Sequence, residues 1–256
     1  MLTIAKIGGQ LIEDPSLLQK ALRDFHRLEG PKILVHGGGK RASQLLQQMG
    51  IVPRMLDGRR LTDAATLEVV TMVYAGLINK NIVAQLQALG CQSLGLCGAD
   101  MDSIRAHKRV GGEVDYGFVG DVDQIHATAI HGLLQSGISP VFCAITHDGA
   151  GQLLNTNADT IAAQLAIGLA QEMAVRLCFC FEHIGVLEDP NNPQSVLSQL
   201  NRTTYEAHKI AGVISAGMIP KIDNALHALQ QGVQQVKICS IDGILHPTGT
   251  HILNSL

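Results

Sequence analysis

Two stretches of sequence decide the fold: LTIAKIGG at residues 2–9 and ILVHGGGK at residues 33–40. Each is a short apolar run that ends in glycines, which is typical of a buried β-strand followed by a tight loop. A helical pattern follows each run, and Asp14 with Pro15 is the expected cap and first turn of the earlier helix. Alternation of strands and helices predicts an α/β fold with a mainly parallel central sheet covered by helices on both faces.

The same alternation continues along the chain. Asp57 and Gly58 form a hairpin turn signal. A boundary near Glu172 would divide the predicted sheet into two halves, 1–172 and 173–256. The remaining predicted strands are 93–97, 103–107, 116–119, 139–144, 174–181, 235–239 and 250–253, and the predicted helices are 14–28, 40–49, 62–89, 125–135, 158–169, 195–200, 205–211 and 221–230.

The composition excludes several classes of protein. Hydrophobic residues make up 46% of the chain and aromatic residues only 3%, so the core must be aliphatic and the chain is not disordered. The net charge of −3 argues against nucleic acid as a partner. Glycine is in excess, with 27 in 256 residues, whereas about 7% is average. Clustered glycine usually lets a ligand approach the backbone closely.

The cysteines and the start of the chain indicate a reduced environment. The six cysteines form no CxxC pair, and no histidine or cysteine has the spacing of a zinc ligand set, so we expect no protein-bound metal. No signal peptide is visible at the start, and the longest uncharged run is too polar to cross a membrane. We therefore expect a cytoplasmic protein without a membrane partner.

The glycine clusters fall where ligands bind to such sheets, at the carboxyl ends of strands. Lys6 precedes Gly8 and Gly9, and a lysine at the edge of a buried strand is costly without an anionic partner. Glycine backbone N–H groups can turn towards such an anion. The second cluster, 37–39, opens a helix, whose N-terminus carries partial positive charge and free N–H donors. Either loop can hold a carboxylate or a phosphate.

The second loop also matches a dinucleotide-binding pattern. Gly37, Gly39 and Ala42 satisfy G-x-G-x-x-A, and Asp57 follows at the expected distance. The match is weak because Asp57 belongs to a hairpin turn and not to the end of a second strand. A Walker A loop is absent, because Leu34 stands where a glycine is required.

Seven motifs, in order along the whole chain, resemble the amino-acid kinase family, and in particular its acyl-glutamate branch. They are Lys6-x-Gly8-Gly9, His36-Gly37-Gly38-Gly39, Gly58-x-Arg60-x-Thr62, Gly117-x-Val119-Gly120, Asn155-x-Asn157-Ala158-Asp159, Gly217-Met218-Ile219-Pro220-Lys221 and Gly249-Thr250-x-Ile252. The resemblance implies a three-layer α/β/α sandwich with an open, mainly parallel sheet. It implies acyl-glutamate binding by residues 1–172, ATP binding by residues 173–256, and a homodimer built on the long helix after Thr62.

The activity implied by the resemblance is ATP-dependent phosphorylation of the γ-carboxylate of N-acetyl-L-glutamate, a step of arginine biosynthesis. By the same resemblance, Lys6 and Lys221 stabilise the transferring phosphoryl group and Asp159 holds both ammonium groups. Gly8 and Gly9 bind phosphate oxygens. Magnesium would be held mainly by ATP and water.

The resemblance also assigns the acceptor side of the site. Gly38 and Gly39 bind the attacked carboxylate, Arg60 takes the α-carboxylate, and Asn155 holds the substrate amide. That carboxylate is already ionised at neutral pH, so the reaction needs no general base. This agrees with the lack of a convincing nucleophile–base pair in the sequence.

Three features depart from the family pattern. Glu182 and His183 stand in the nucleotide-binding stretch, where the family usually has Asp followed by a small apolar residue. Arg59 stands beside Arg60, where an apolar residue is more usual, and it either is a solvated charge or meets a second carboxylate, as in N-succinyl-L-glutamate. The chain begins at its first strand, without the N-terminal helix of arginine-inhibited relatives, which implies a dimer without arginine feedback.

One alternative class uses the same fold without catalysis. Some relatives are regulatory domains that sense amino acids, and such a module is expected to lose the two lysines. The presence of Lys6, Asp159 and Lys221 favours an active kinase.

Overall fold

The computed structural model describes residues 1–56, 58–111, 114–189, 191–214 and 218–254. Asp57 and Gly217, which take part in the sequence motifs, lie outside these ranges. The strands are β1 (Leu2–Ile7), β2 (Lys32–His36), β3 (Met55–Leu56), β4 (Arg59–Arg60), β5 (Ser93–Leu96), β6 (Ile104–Lys108), β7 (Gly120–Ile125), β8 (Ser139–Phe142), β9 (Ile145–His147), β10 (Leu153–Asn155), β11 (Val175–Phe181), β12 (Gln199–Leu200), β13 (Gln235–Ser240) and β14 (Thr250–Ile252).

The helices follow the strands in alternation. They are α1 (Gln10–Glu13), α2 (Pro15–Arg27), α3 (Gly39–Gln48), α4 (Ala64–Thr71), a π-helical segment (Met72–Ile78), α5 (Asn79–Ala88), α6 (Ala127–Gln135), α7 (Ala158–Ala170), α8 (Arg202–Ile210) and α9 (Ile219–Gln230). Asp14 caps α2 as the sequence predicts, because its carboxylate accepts hydrogen bonds from the backbone N–H groups of Ser16 and Leu17.

Eight strands form one open sheet in the order β12-β14-β13-β11-β1-β2-β8-β5. Neighbouring strands run parallel except β13 and β14. The central strand β1 is flanked by β11 and β2, with Lys6 in register with Phe179 and Val35. The carboxyl ends of these strands therefore meet at one edge. The predicted α/β fold with a mainly parallel sheet is confirmed.

A smaller sheet, in the order β10-β9-β6-β7, and the β3–β4 hairpin stand beside the main sheet. Isolated bridges join Thr62 to Gly117 and Val119 to Asn155, so the small sheet is tied to the chain segments after β4 and around β10. A side chain at Gly117 cannot fit there, since a Cβ would lie 2.1 Å from the carbonyl oxygen of Thr62.

The core is mostly aliphatic, as the composition predicts. The central strands of the main sheet, β1, β2, β8, β11 and β13, are buried on both faces. Helix α7 buries alanine, leucine and isoleucine side chains against β11 and β1. The few aromatic residues include four of the largest fully buried side chains, Tyr205, Phe25, Phe142 and Phe179.

The long predicted helix extends from Ala64 to Ala88 and contains the π-helical segment. Asp63 caps it by accepting a hydrogen bond from the Thr66 N–H. By length and composition this helix is apolar enough to cross a membrane, but one face packs into the core of this protein. The other face leaves Met72 and Leu77 about half exposed.

Three predicted elements are wrong in place or type. The strand expected at 116–119 begins at Gly120, because Val119 bridges to Asn155 and the regular pairing with β6 starts one residue later. The helix expected from 125 begins at Ala127, after β7 ends. The helix expected at 195–200 is extended chain: Val196 bridges to Leu187, and β12 pairs with β14.

Candidate active site

One cavity of about 210 Å³ lies at the carboxyl ends of β1 and β2. The sequence-predicted site residues that line it are Lys6, Gly8, Gly9, Gly38, Gly39, Arg60, Asn155 and Asp159. Lys221 is not part of the lining, but its ammonium group reaches Asp159 at the same place. The fold therefore brings together residues that are up to 215 positions apart in the sequence.

Asp159 lies between the two lysines. Its carboxylate is 2.9 Å from the Lys6 Nζ, and the Lys221 Nζ donates to its two oxygens at 3.0 and 3.1 Å. Asn157 caps α7 by accepting hydrogen bonds from the Asp159 and Thr160 N–H groups, which fixes Asp159 in the first helical turn. The three charged side chains are 11–16% exposed, so the group is largely shielded from water.

The charges in this group shift each other's pKa values. Burial acts to raise the pKa of the Asp159 carboxyl, but the ammonium groups of Lys6 and Lys221 outweigh it and lower that pKa to about 2. Burial lowers the pKa of Lys221, and Lys6 lowers it further, while Asp159 acts in the opposite direction. The arrangement thus holds two cations together around a carboxylate that stays ionised.

The first glycine loop needs its glycines for space. A Cβ on Gly8 would lie 2.7 Å from the Lys6 Nζ, so any side chain there would displace the ammonium group. Gly9 has a φ of +58°, a left-handed conformation that glycine adopts readily. A Cβ on Gly9 would also lie 3.2 Å from a carboxylate oxygen of Glu182, so the unusual acid of this sequence stands directly beside the loop.

The second glycine loop is packed against the π-helical segment. A Cβ on Gly38 would lie 2.3 Å from Ile78 Cδ1 and 3.0 Å from Tyr74 Cδ1. The close approach of the helix therefore requires glycine at this position. π-helical turns inside α-helices are found frequently at functional sites, and this one lies next to the N-terminus of α3.

His36 and Asn79 contact each other and support the start of this loop. His36 is fully buried, and its Nδ1 lies 2.8 Å from the Gly37 carbonyl oxygen. Its Nε2 lies 3.1 Å from the Asn79 side-chain nitrogen, which also donates to the Val141 carbonyl. Burial lowers the pKa of His36 to about 4, so the ring is neutral at physiological pH. A neutral ring that donates through Nδ1 and accepts through Nε2 fits both contacts.

Arg60 and Asn155 are linked on the other side of the cavity. Arg60 donates through Nη2 to the Gly39 carbonyl and to the Ser43 hydroxyl, both at 2.8 Å. Asn155 donates to the Thr62 hydroxyl at 3.0 Å, and that hydroxyl donates to the Arg60 carbonyl. One N–H of the Asn155 amide is thus engaged, and its carbonyl oxygen accepts no hydrogen bond from the described residues.

The structure adds residues that the sequence analysis missed. Tyr74, Arg109 and Asp121 also line the cavity, together with Arg59. Arg109 forms an ion pair with Asp121, and its hydrogen bonds lower the pKa of the Asp121 carboxyl, although burial acts in the opposite direction. Arg109 belongs to none of the sequence motifs, and Tyr74 resembles an ordinary core residue of an apolar helix.

This arrangement suits the transfer of a charged group between two anions. At this cavity two held ammonium groups supply positive charge and two glycine loops supply N–H donors, which is how phosphoryl transfer is stabilised. The fold and the site together define a phosphotransferase that acts on a small anionic acceptor.

Comparison with known proteins gives the family. The model of the amino acid kinase family matches residues 1–240, and the chain belongs to that family. A protein of Parabacteroides distasonis named acetylglutamate kinase is 50% identical over 251 residues, which cover 98% of each chain. The crystal structure of smu.665 from Streptococcus mutans UA159 has a TM-score of 0.79 at 27% identity and 98% coverage of both chains.

A more distant structure shows the fold alone. Carbamate kinase from Giardia lamblia bound to AMP-PNP has a TM-score of 0.70 at 14% identity, covering 99% of this chain and 98% of its own. The family assignment that the seven sequence motifs predict is confirmed.

Proposed function

We propose that the protein transfers the γ-phosphoryl group of ATP to the γ-carboxylate of N-acetyl-L-glutamate, forming an acyl phosphate in arginine biosynthesis. The observation that carries the proposal is the pair of lysines held by Asp159 between two glycine loops. Curated relatives that are 49–50% identical are named acetylglutamate kinase. Their alignments cover 95–98% of this chain.

On the donor side, Lys6 and Lys221 would contact the transferring phosphoryl group from two directions. Asp159 would keep both ammonium groups in place before the nucleotide arrives. The backbone N–H groups of Gly8 and Gly9 would bind phosphate oxygens, for which the absence of side chains leaves room. Lys6 and Lys221 are the catalytic residues of this proposal, together with Asp159 as the group that positions them.

On the acceptor side, the N–H groups of Gly38 and Gly39 at the start of α3 would bind the attacked carboxylate. Arg60 would pair with the α-carboxylate, and the Asn155 carbonyl would accept from the substrate amide N–H. The Nη1 of Arg60 is buried and has no hydrogen-bond partner among the described residues, which supports a role in binding an anion.

The main barrier is repulsion between the carboxylate and the triphosphate. The acceptor is ionised at neutral pH, since a glutamate side chain has a pKa near ~4.3, so no base has to remove a proton. Two unit negative charges 4 Å apart repel by about 4 kcal/mol at an effective dielectric constant of 20. The cations of the site offset this repulsion, and the glycine loops fix the distance of attack.

Magnesium would enter with ATP as the metal–nucleotide substrate. Among the described residues no group of three or more His, Cys, Asp or Glu side chains could form a metal site, so the phosphates and water would supply most ligands. Glu182 would contact this ion, because its carboxylate lies beside Gly9, where the phosphates would bind. A cation between the carboxylate and the phosphates would offset their repulsion.

The two halves of the chain would divide the substrates. Residues 1–172 contain the acceptor loop and the long helix, and residues 173–256 contain β11, α9 and Lys221, where ATP would bind. The exposed apolar face of the long helix, at Met72 and Leu77, supports a homodimer built on this helix. Six free cysteines support a reducing, cytoplasmic location.

A second candidate substrate is N-succinyl-L-glutamate. Arg59 and Arg109 both line the cavity, whereas the acetyl group offers no charge for them to bind. Asp121 neutralises Arg109, so of these two arginines Arg59 keeps its positive charge for a second carboxylate. Steady-state kinetics with both substrates separates the candidates. A higher kcat/KM for the succinyl compound, lost in Arg59→Ala, supports N-succinyl-L-glutamate as the substrate. An equal or higher kcat/KM for the acetyl compound excludes it.

The main test traps the product. Hydroxylamine converts an acyl phosphate into a coloured hydroxamate, and we expect its formation to need ATP, magnesium and the N-acyl-glutamate. Lys6→Ala and Lys221→Ala should abolish it, and Lys20→Ala, which removes a lysine from an exposed ion pair, should not. A wild-type protein that binds N-acetyl-L-glutamate without forming hydroxamate would instead be an amino-acid-sensing module.

A further inference from the structure

Tyr74 is a buried tyrosine whose hydroxyl group faces the acceptor end of the cavity. The residue is 5% exposed and lines the cavity. Its ring packs on Gly38, and its hydroxyl lies 4.0 Å from the position that a Cβ on Gly39 would take. The Nη2 of Arg60 lies 3.8 Å from that same position, so the phenol and the guanidinium stand side by side.

The hydroxyl is available to a ligand. Its polar neighbour is the Arg60 guanidinium, which can donate to the phenol oxygen but cannot accept from it. The O–H proton therefore has no acceptor among the described residues, whereas buried tyrosine hydroxyls usually find a hydrogen-bond partner. The neighbouring Nη2 of Arg60 is already bonded to Gly39 and Ser43, and Nη1 has no partner among these residues. The Tyr74 O–H and the Arg60 Nη1 are thus two donors without an acceptor, and they suit one ligand that accepts hydrogen bonds from both.

We propose that Tyr74 is a further substrate-binding residue, whose hydroxyl donates a hydrogen bond to the α-carboxylate that Arg60 binds. This inference rests on the proposed function. The α-carboxylate is the group concerned, because the hydroxyl stands beside Arg60, the residue to which the proposed function assigns that carboxylate. The hydroxyl is therefore a determinant of specificity for acceptors that carry a carboxylate next to the acylated nitrogen.

The protonation of the phenol is consistent with a donor role. Burial raises the pKa of Tyr74, and the nearby Arg60 only partly offsets this effect. The hydroxyl thus keeps its proton throughout the physiological range and presents it to an anion.

The π-helical segment explains how the hydroxyl reaches this position. Tyr74 and Ile78 both press against Gly38 from this segment, and Asn79 at its end contacts His36. The same segment that supports the acceptor loop therefore also carries the donor, and the two are fixed relative to each other.

The test is Tyr74→Phe, which removes only the hydroxyl and keeps the ring on Gly38. We expect the KM for N-acetyl-L-glutamate to rise about 10- to 100-fold, the factor for losing a hydrogen bond to a charged group. The KM for ATP should stay within about twofold. Tyr205→Phe is the matched control, because it removes a buried tyrosyl hydroxyl that donates to Asp223 instead, and the KM for N-acetyl-L-glutamate should not change.

A substrate analogue identifies the group that is recognised. 4-Acetamidobutyrate keeps the acetamide and the reacting carboxylate but lacks the α-carboxylate, so its inhibition constant should be the same in wild type and Tyr74→Phe. An unchanged KM for N-acetyl-L-glutamate, or an equal loss of affinity for the analogue, overturns the proposal. Calorimetry measures the binding of N-acetyl-L-glutamate to wild type and Tyr74→Phe without turnover. A failure of the proposed catalysis is therefore distinguishable from a failure of the role assigned to Tyr74.

Discussion

Replacing Asp159 with asparagine tests the central arrangement of the site. The change keeps the shape of the side chain and removes its charge, leaving the ammonium groups of Lys6 and Lys221 without the carboxylate between them. We expect both the stability of the protein and its activity to fall, because the same carboxylate neutralises the two cations and positions them.

The magnitude follows from the charges around Asp159. A carboxyl whose pKa falls from 3.8 to about 2 is stabilised in its charged form by about 2.4 kcal/mol. Removing one partner of a buried ion pair generally costs about 3–5 kcal/mol, because the remaining charge is left uncompensated. The lowered pKa of Lys221 lets that group lose its proton and relieve part of the repulsion, so we expect about 2–4 kcal/mol. For a chain of this size that corresponds to a fall in Tm of roughly 5–15 °C.

The pH dependence of stability is a separate test of whether the Asp159 charge stabilises the folded protein. The pKa of Asp159 is lower in the folded protein than in the unfolded chain, so its contribution is present above about pH 3.8 and is lost as the pH falls towards 2. The free energies of unfolding of wild type and Asp159→Asn should therefore differ at neutral pH and converge as the pH approaches 2.

The assay combines thermal unfolding with the hydroxamate trap. Activity should fall by about 100- to 1,000-fold, the loss seen when a group that organises charge in a transition state is removed. Asp242→Asn is the matched control, because Asp242 pairs with Lys20 on the exposed surface, where an ion pair contributes about 0–1 kcal/mol. If Asp159→Asn kept the Tm and the activity of the control, the two-lysine assignment would be refuted.

Three further predictions address other parts of the molecule. Because the pKa of Lys221 is lowered below 10.5, kcat/KM should decline on the alkaline side before pH 10.5. Lys221→Arg should not show that decline, and a pH profile that the substitution leaves unchanged contradicts this prediction. Gly38→Ala places a methyl group 2.3 Å from a side-chain carbon, so the KM for N-acetyl-L-glutamate should rise at least tenfold while the KM for ATP stays unchanged. Gly132→Ala, which has open space around it, should change neither KM. Met72→Glu with Leu77→Glu should convert a dimer into a monomer by light scattering, and a dimer that persists excludes this face as the interface.

The sequence predicts the sheet and the two loops well because their signals are local. A short apolar run that ends in glycine predicts a strand from its own residues. The parallel arrangement of β1 and β2 then places Lys6 and Gly38 at one edge of the sheet. The motif around Asp159 is equally local, since Asn157 caps the helix that carries it. The same local reasoning failed at 195–200, where an apolar spacing typical of a helix belongs to an extended segment fixed by pairing with distant strands.

Tyr74 and Arg109 show what local patterns do not contain. Tyr74 is one of several apolar or aromatic residues on a long helix, and only the π-helical turn and the packing on Gly38 bring its hydroxyl to the cavity. Arg109 follows β6, and its place in the cavity depends on the pairing of β6 with β7 and on its ion pair with Asp121. Both positions result from contacts between separate elements, which a single sequence does not specify.

The electrostatics of the lysine group explain why one carboxylate serves two cations. Asp159 is the one carboxylate that pairs with Lys6 and Lys221 among the described residues, so the two cations are only partly neutralised. The lowered pKa of Lys221 reflects the cost of keeping it charged in a buried site. An incoming phosphate removes that cost, because it adds negative charge next to both ammonium groups, and binding is favoured by the relief of their repulsion. A second carboxylate in place would neutralise the lysines in advance and leave less attraction for the phosphoryl group. The single shared Asp159 therefore fixes the geometry and keeps the positive charge available for the reacting anions.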